Sequence, residues 1–132
     1  MLISMEQFIS KTARSMSNYH PYDDSWSAKL RSLDFPALDQ VIVGIYHDGT
    51  IYMVFTDTHL YYLEGIWTPI EYISVQSVHI KEGTKDTAST LIVQHNEIIT
   101  ELSIQSSNGK FRDIFPLVRV LNRVVQKAAM SK

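Results

Sequence analysis

The chain has 132 residues, 45% of them hydrophobic, and it contains no cysteine. This length suits a single domain that buries about two-thirds of the surface of its unfolded chain, and the composition excludes a disordered protein. Twelve basic and 14 acidic residues give a formal net charge of -2, which excludes a molecule-wide attraction to nucleic acid or to anionic membranes.

Residues 1–38 predict a helical extension that packs on the domain formed by residues 39–132. Apolar residues recur at helical spacing along the first part of this extension: Leu2, Met5, Ile9, Ala13 and Met16. The stretch DDSWSAKLRSL predicts a second, short helix with Asp24 as its N-cap and Trp26 on its apolar side. Pro36 ends that helix.

Residues 41–105 predict about seven antiparallel strands, because the apolar period changes here from 3.6 to 2. Asp48-Gly49 is typical of a two-residue hairpin turn, and the sequence TDTH marks the next reversal. Between residues 70 and 80 the apolar spacings are 2, 3, 3 and 2, which place a bend between two short strands near residues 73–76. His95-Asn96 marks a tight turn before the last strand.

From Phe111 to Met130 the apolar residues return to helical spacing and predict an amphipathic helix. Proline is tolerated only in the first turn of a helix, so this helix either begins just before Pro116 or kinks there, and we expect the late start. The predicted core combines strand and helix residues: Val43, Ile45, Met53, Phe55, Leu60, Tyr72, Val78, Leu91, Val93, Leu102, Phe115, Val118 and Leu121.

Three segments of the chain resemble bacterial pleckstrin-homology-like domains. DQVIVGIYHDGTIYMVFTDTHLYYLEG looks like their opening strands, WTPIEYISVQSVHI like their Trp, Tyr and Ile/Val pattern, and FRDIFPLVRVLNRV like their terminal helix. The resemblance covers Leu38 to Val125, two-thirds of the chain. It implies a mainly β fold, α+β by content: a pleckstrin-homology-like (PH-like) barrel of about seven antiparallel strands closed by a C-terminal helix, with an N-terminal helical segment added.

The resemblance also bears on the ligand. Phosphoinositide-binding members of the family carry basic residues in the first strand-turn-strand, where this chain reads GIYHDGTIYMVF, with His47 but no lysine or arginine. Charge-assisted contacts to phosphate therefore lack their donors, and we do not expect phosphoinositide binding. Two functions remain compatible with the resemblance: recognition of a protein or peptide segment, and a structural role in an assembly.

No residue pattern indicates catalysis or a bound metal. The five histidines show neither His-x-His nor His-Glu-x-x-His spacing: His20, His47, His59, His79 and His95. No serine lies in a Gly-x-Ser-x-Gly motif, and the five glycines do not cluster into a phosphate-binding loop. We therefore expect no enzyme activity, no metal and no cofactor. The missing cysteines and the absence of a long apolar run favour a cytoplasmic protein.

The aromatic residues Tyr19, Tyr22 and Trp26 lie close together in the sequence and have two interpretations. Because such rings dominate the energetics of interfaces, they could form an exposed recognition patch. Large rings also bury readily, so they could instead fix the N-terminal segment onto the barrel.

Basic residues of the C-terminal helix align in one stripe at spacings of 7, 4 and 4: Arg112, Arg119, Arg123 and Lys127. Six basic residues and one aspartate between Lys110 and Lys132 give this segment a local charge of +5. The stripe has two interpretations: a contact for an acidic partner or an anionic surface, and a solvated face near a helix C-terminus.

The leading functional hypothesis is a non-catalytic module that recognises a protein or peptide segment. In the fold that the resemblance implies, the strand Val75 to Lys81 lies at an open sheet edge beside the terminal helix. His79 and Lys81, with Arg119 and Arg123 across the groove, would supply donors to an acidic or carbonyl-rich peptide. The alternative is a membrane-surface or lipid adaptor that uses the basic helix, and an enzyme without a recognisable motif is least favoured. A homo-oligomer stays open, and nucleic acid is not expected.

Overall fold

A computed structural model describes residues 4–14, 16, 18–48, 51–81, 90–103 and 114–130. The described residues form three α-helices, eight β-strands and one 3₁₀ helix. Their order is α1 (Met5–Ala13), β1 (Tyr19–Pro21), α2 (Asp24–Ser32), β2 (Ile42–Asp48), β3 (Ile51–Thr56), β4 (His59–Glu64), β5 (Ile66–Glu71), the 3₁₀ helix (Tyr72–Ser74), β6 (Val75–Ile80), β7 (Thr90–His95), β8 (Ile98–Ser103) and α3 (Ile114–Met130).

Helix α1 begins with a capping box. The Ser4 hydroxyl accepts a hydrogen bond from the Gln7 backbone N–H at 3.1 Å, and the Gln7 side chain accepts one from the Ser4 N–H at 3.3 Å. These bonds satisfy two donors that a helix start leaves unpaired. Ile9 and Ala13 are buried, which confirms the predicted apolar face, while Leu2 lies outside the described residues.

Helix α2 begins one residue earlier than predicted. Its N-cap is Asp23, whose carboxylate accepts hydrogen bonds from the Ser25 hydroxyl at 2.7 Å and the Trp26 backbone N–H at 3.1 Å. Both hydrogen bonds lower the pKa of Asp23, and the bond from Ser25 has the larger effect. The prediction of Asp24 as the cap was therefore wrong, because adjacent aspartates both suit a cap and only the backbone conformation decides between them.

The strands form two antiparallel sheets. The first has the order β1-β2-β3-β4-β5 and the second the order β6-β7-β8. The seven strands from β2 to β8 confirm the predicted number and their antiparallel pairing. An eighth strand, β1, comes from the N-terminal extension and pairs with β2, with Tyr19 opposite Tyr46. The extension therefore contributes a strand to the first sheet in addition to its helices.

A single closed barrel is not formed by the described strands, so that part of the prediction is corrected. The 3₁₀ helix Tyr72–Ser74 turns the chain out of the first sheet, and β6 starts a second sheet instead of pairing with β5. The apolar steps of three in this stretch correspond to that turn. The fold is mixed α+β, with two antiparallel sheets and three helices in the part of the chain that is described.

A β-bulge in β2 changes which face its residues occupy. The pairing with β3 shifts between Ile42 and Gly44, so one extra residue lies opposite β3 at this point. Val43 consequently faces the main core while Ile45 faces the opposite side of the sheet. Strict alternation had predicted that Val43 and Ile45 share a face, and the bulge removes that regularity.

Two hydrophobic clusters lie on opposite faces of the first sheet. The main core joins this sheet to the second sheet, α1 and α3, and the outer cluster joins it to α2 and the residues that follow α2. All predicted core residues with described side chains are buried except Val118, which packs partly buried against the main core. The Phe115 side chain lies outside the description. The first sheet is therefore covered on both faces.

Turn and helix boundaries agree with local sequence chemistry. The turn between β7 and β8 consists of Asn96 and Glu97, with φ of 49° and 64°, as a tight hairpin turn requires. Helix α3 starts at Ile114, so Pro116 lies in its first turn as predicted. The predicted Asp48-Gly49 turn lies partly outside the described residues.

Candidate functional site

Strand β6 is an edge strand of the second sheet, because among the described residues it pairs only with β7. The Lys81 backbone N–H donates to the Thr90 carbonyl at 3.0 Å. In an antiparallel pair the backbone groups alternate in direction, so those of Val78 and Ile80 point to the free edge. The side chains of Val78 and Ile80 face the main core. Among the described residues, no backbone group pairs with Val78 or Ile80 on that side, and Val78 as a whole is 8% exposed.

Two of the residues predicted for the site lie on or next to β6. His79 is exposed on the outer face of the second sheet. The Lys81 Nζ lies 2.7 Å from the Glu101 Oε1 of β8, and both side chains are 49% exposed. An exposed ion pair of this kind contributes little to stability, and it neutralises much of the Lys81 charge. Of these two side chains, His79 is therefore the one more readily available to donate a hydrogen bond to a partner.

The two arginines predicted for the site lie one helical turn apart on α3, and both are exposed. Lys127, one turn further along the same stripe, has its Nζ 5.4 Å from the centre of the Phe8 ring of α1. Helix α3 contacts both α1 and β6. The structure thus places Arg119 and Arg123 on the helix that contacts β6, whereas His79 lies on the outer face of the second sheet and Lys81 forms an ion pair with Glu101. Arg112 lies outside the described residues.

The three aromatic residues proposed as a patch lie on two sides of the first sheet. Tyr19 packs against the main core, with its ring 5.9 Å from that of Phe55 in an edge-to-face arrangement. Burial raises the pKa of Tyr19 to about 12, and the Ser10 side chain offsets part of this effect. Tyr22 and Trp26 pack instead against the outer cluster. The rings therefore form no single surface, and each fixes the N-terminal segment to the sheet.

A row of rings that the sequence did not reveal lies at one end of α2. Trp26 lies 5.2 Å from the His20 ring and 5.9 Å from the His47 ring, and His47 stacks on Tyr52 at 4.2 Å. The Lys29 ammonium lies 5.8 Å from the centre of the Tyr52 ring. The row depends on the pairing of β1 with β2, and no local pattern in residues 18–48 predicts that pairing. We interpret the row as the anchor of α2.

A shallow cleft lies where the second sheet begins, and the sequence gave no indication of it. Its volume is about 160 Å³, and it is lined by residues of the β3–β4 turn, the start of the 3₁₀ helix and α3: Asp57, Thr58, Glu71, Tyr72, Ile73 and Ala128. Tyr72 is buried and its hydroxyl donates to the Thr56 carbonyl at 2.8 Å. Burial is the main reason that the pKa of Tyr72 lies well above its ordinary value.

The Thr56 hydroxyl holds the turn that forms one wall of this cleft. It accepts hydrogen bonds from the backbone N–H groups of His59 at 2.9 Å and Thr58 at 3.3 Å, and it donates to the His59 carbonyl at 3.1 Å. Thr56 itself is fully buried. Because a buried hydroxyl with several partners has one favourable arrangement, the position of Asp57 and Thr58 at the cleft is well defined.

The described residues contain no group of three or more histidine, aspartate or glutamate side chains placed to hold a metal ion. Nor is any helix within the described ranges long and apolar enough to cross a membrane.

The described residues together define a mixed α+β protein of two antiparallel sheets, in which the edge strand β6 pairs only with β7 among the described strands and contacts α3. Comparison with protein-family models, with curated proteins and with solved structures finds no significant match to this chain.

Proposed function

We propose that the chain is a PH-like, non-catalytic interaction module that binds an extended protein segment along the free edge of β6. The observation that carries this proposal is the direction of the Val78 and Ile80 backbone groups, which point away from β7, the one strand with which β6 pairs among the described residues. An added strand would form backbone hydrogen bonds there, and neighbouring side chains would set its specificity.

The order of the elements supports the PH-like part of the proposal. A meander of four strands, β2 to β5, is followed by a meander of three strands, β6 to β8, and then by a C-terminal helix. A run of antiparallel strands followed by a C-terminal helix is the order that the sequence resemblance implies, and this supports the proposal. Helix α3 lies against β6 and the 3₁₀ helix, so the proposed binding edge lies next to a rigid element.

The length of the bound segment follows from the irregularity in β6. The pairing of β6 with β7 shifts between Val75 and Ser77, which interrupts the regular edge at Gln76. Regular pairing is therefore available along Ser77 to Lys81. His79 is exposed on this strand, and Arg119 and Arg123 are exposed on the helix beside it. As rim charges, the two arginines would act mainly on the rate of association.

Amide hydrogen exchange tests the proposal directly. The probe is a library of synthetic random-sequence peptides, from which the tightest binders are selected and added to the purified protein. We expect bound peptide to slow exchange of the Val78 and Ile80 amides, which face the free edge, and to leave the His79 and Lys81 amides unchanged because they already face β7. Failure of the library to bind, or protection confined to other elements, would overturn the proposal.

A further inference from the structure

The cleft that Asp57, Glu71 and Ala128 help to line has the size of one side chain. Its volume of about 160 Å³ is well below the roughly 300–1,000 Å³ of sites that take small molecules or cofactors. It opens to solvent between three elements, namely the β3–β4 turn, the 3₁₀ helix and the end of α3. A single long side chain from a bound partner matches these dimensions better than a separate ligand does.

The charge of the cleft selects a cation. Asp57 and Glu71 lie in its wall, and neither forms an ion pair with a residue that the structure describes. Ala128 lies two residues before the end of α3, where the helix dipole adds partial negative charge. Lys127, which precedes Ala128, lies against the Phe8 ring of α1. The cleft therefore combines negative charge from two carboxylates and a helix terminus.

The remaining walls are apolar. Ile73, which is 43% exposed, and Ala128 both belong to the apolar part of the cleft lining. Lysine and arginine bury their methylene groups on apolar surface while the charged end contacts polar groups. Such a side chain would lay its methylenes on Ile73 and Ala128 and direct its charge to Asp57 and Glu71.

The cleft residue Ile73 lies shortly before the proposed binding edge in the chain. Ile73 lies four residues before Ser77, so a segment paired with β6 reaches the cleft by extending at most roughly 13 Å beyond the pairing. We propose that the cleft is the specificity pocket of this edge and receives one lysine or arginine side chain of the bound segment. This inference rests on the proposed function for the identity of the partner, but the pocket itself can be tested alone.

The first experiment tests the pocket without any peptide. Heteronuclear NMR follows a titration with n-butylguanidinium chloride, a fragment that mimics an arginine side chain, and a parallel titration with neutral n-butylurea. We expect saturable shifts of the Ile73 and Ala128 amides with the guanidinium only. Shifts that are equal for both fragments, or absent from these residues, would show that the cleft does not select a cation.

The second experiment tests the pocket in the context of a partner. Positional-scanning peptides with arginine, lysine, glutamine or glutamate fixed at each position are bound to the parent and to an Asp57→Asn, Glu71→Gln variant. One position should prefer arginine or lysine over glutamine by about tenfold, as expected for a charge-assisted hydrogen bond. The variant should lose that preference while it still binds the peptides.

A matched control removes the same charge elsewhere. Asp39 and Glu64 are exposed and do not line the cleft, so an Asp39→Asn, Glu64→Gln variant should retain the preference. If peptides bind without a preference for a basic residue, the pocket assignment is wrong and strand addition still holds. The same conclusion follows if the preference persists in the cleft variant. Absence of all peptide binding overturns strand addition, and the guanidinium titration then decides the pocket separately.

Discussion

Gly44 occupies a position where the chain has no room for a side chain. A Cβ atom at Gly44 would overlap the Tyr19 hydroxyl and would lie 2.7 Å from the Tyr19 Cε1. A glycine inside a strand often marks such a close approach, and here it coincides with the bulge in β2. The Tyr19 ring, which links β1 to the core, occupies the space that a side chain at position 44 would need.

We therefore expect Gly44→Ala to lower the free energy of unfolding by about 1–3 kcal/mol, as overpacking of a tight site does. Urea denaturation followed by tryptophan fluorescence measures the loss. Tyr19→Ala and the double variant complete a thermodynamic cycle. If the alanine at 44 costs as much in the Tyr19→Ala background as in the parent, the Tyr19 ring is not the group that excludes it.

His95 links stability to pH. It is only 7% exposed, its Nε2 lies 2.9 Å from the Thr100 Oγ1, and burial lowers its pKa from the ordinary 6.5. The unfolded chain therefore binds a proton more readily than the folded protein. The contribution of His95 to stability is complete above the unfolded pKa and is lost as the pH falls from there toward the lower folded pKa.

Urea denaturation between about pH 8 and about pH 5 should show this loss. A His95→Gln variant should have a weaker dependence on pH in the acid part of the range, although it is less stable throughout. His79→Gln serves as the control, since His79 is exposed on the opposite face of the same sheet and its replacement should leave the pH dependence in place. Identical acid slopes in the parent and in His95→Gln would contradict the assignment.

Among the elements, α2 depends most on aromatic contacts. Phe35, just beyond its end, meets the rings of Tyr61 and Trp67 edge-to-face, each at 5.0 Å. The Trp67 Nε1–H donates to the Leu33 carbonyl at 2.9 Å. These contacts and the buried Leu30 hold α2 on the outer face of the first sheet.

Phe35→Ala should loosen α2 more than any other element. Truncation of a buried phenylalanine costs about 3–5 kcal/mol, and the cavity would lie between α2 and the sheet. Native-state hydrogen exchange should show the amides of α2 opening with less free energy than those of α3. Phe35→Leu, which keeps most of the volume, should have a smaller effect, and equal acceleration in α2 and α3 would argue against a separate anchor.

At the scale of the whole molecule, charge on α3 should affect binding without affecting the fold. Arg119 and Arg123 are exposed, and exposed charges contribute little to stability. We expect Arg119→Glu with Arg123→Glu to weaken binding of acidic peptides from the library and to leave the melting temperature nearly unchanged. Affinity and thermal unfolding are measured on the same samples.

Arg14→Glu with Arg31→Glu provides the matched control, because both residues are exposed and neither belongs to α3: Arg14 directly follows α1, and Arg31 lies on α2. Equal affinity of the α3 variant and the parent would remove these arginines from the binding surface, and the row around Trp26 would be tested next. Salt-sensitive binding of the parent to anionic vesicles, lost in the α3 variant, would instead favour a membrane-surface adaptor.

Local chemistry in the sequence determined the elements of this protein. The change of apolar period located the seven strands and α3, and Pro116 located the start of the helix. His95-Asn96 located the last hairpin turn to within one residue, since its two central residues are Asn96 and Glu97 and His95 ends β7. Each of these signals depends on residues a few positions apart, so the sequence contains all the information that the inference needs. The burial of most predicted core residues follows from the same periodicity.

Tertiary structure alone decided how the elements assemble. The division into two sheets, the addition of β1 to the first sheet and the separation of Tyr19 from Trp26 all depend on which strands meet. Asp57, Glu71 and Ala128 form one cleft although they are far apart in the sequence, and no local pattern relates them. Long-range contacts of this kind depend on packing and backbone pairing across the whole chain, which periodicity does not specify.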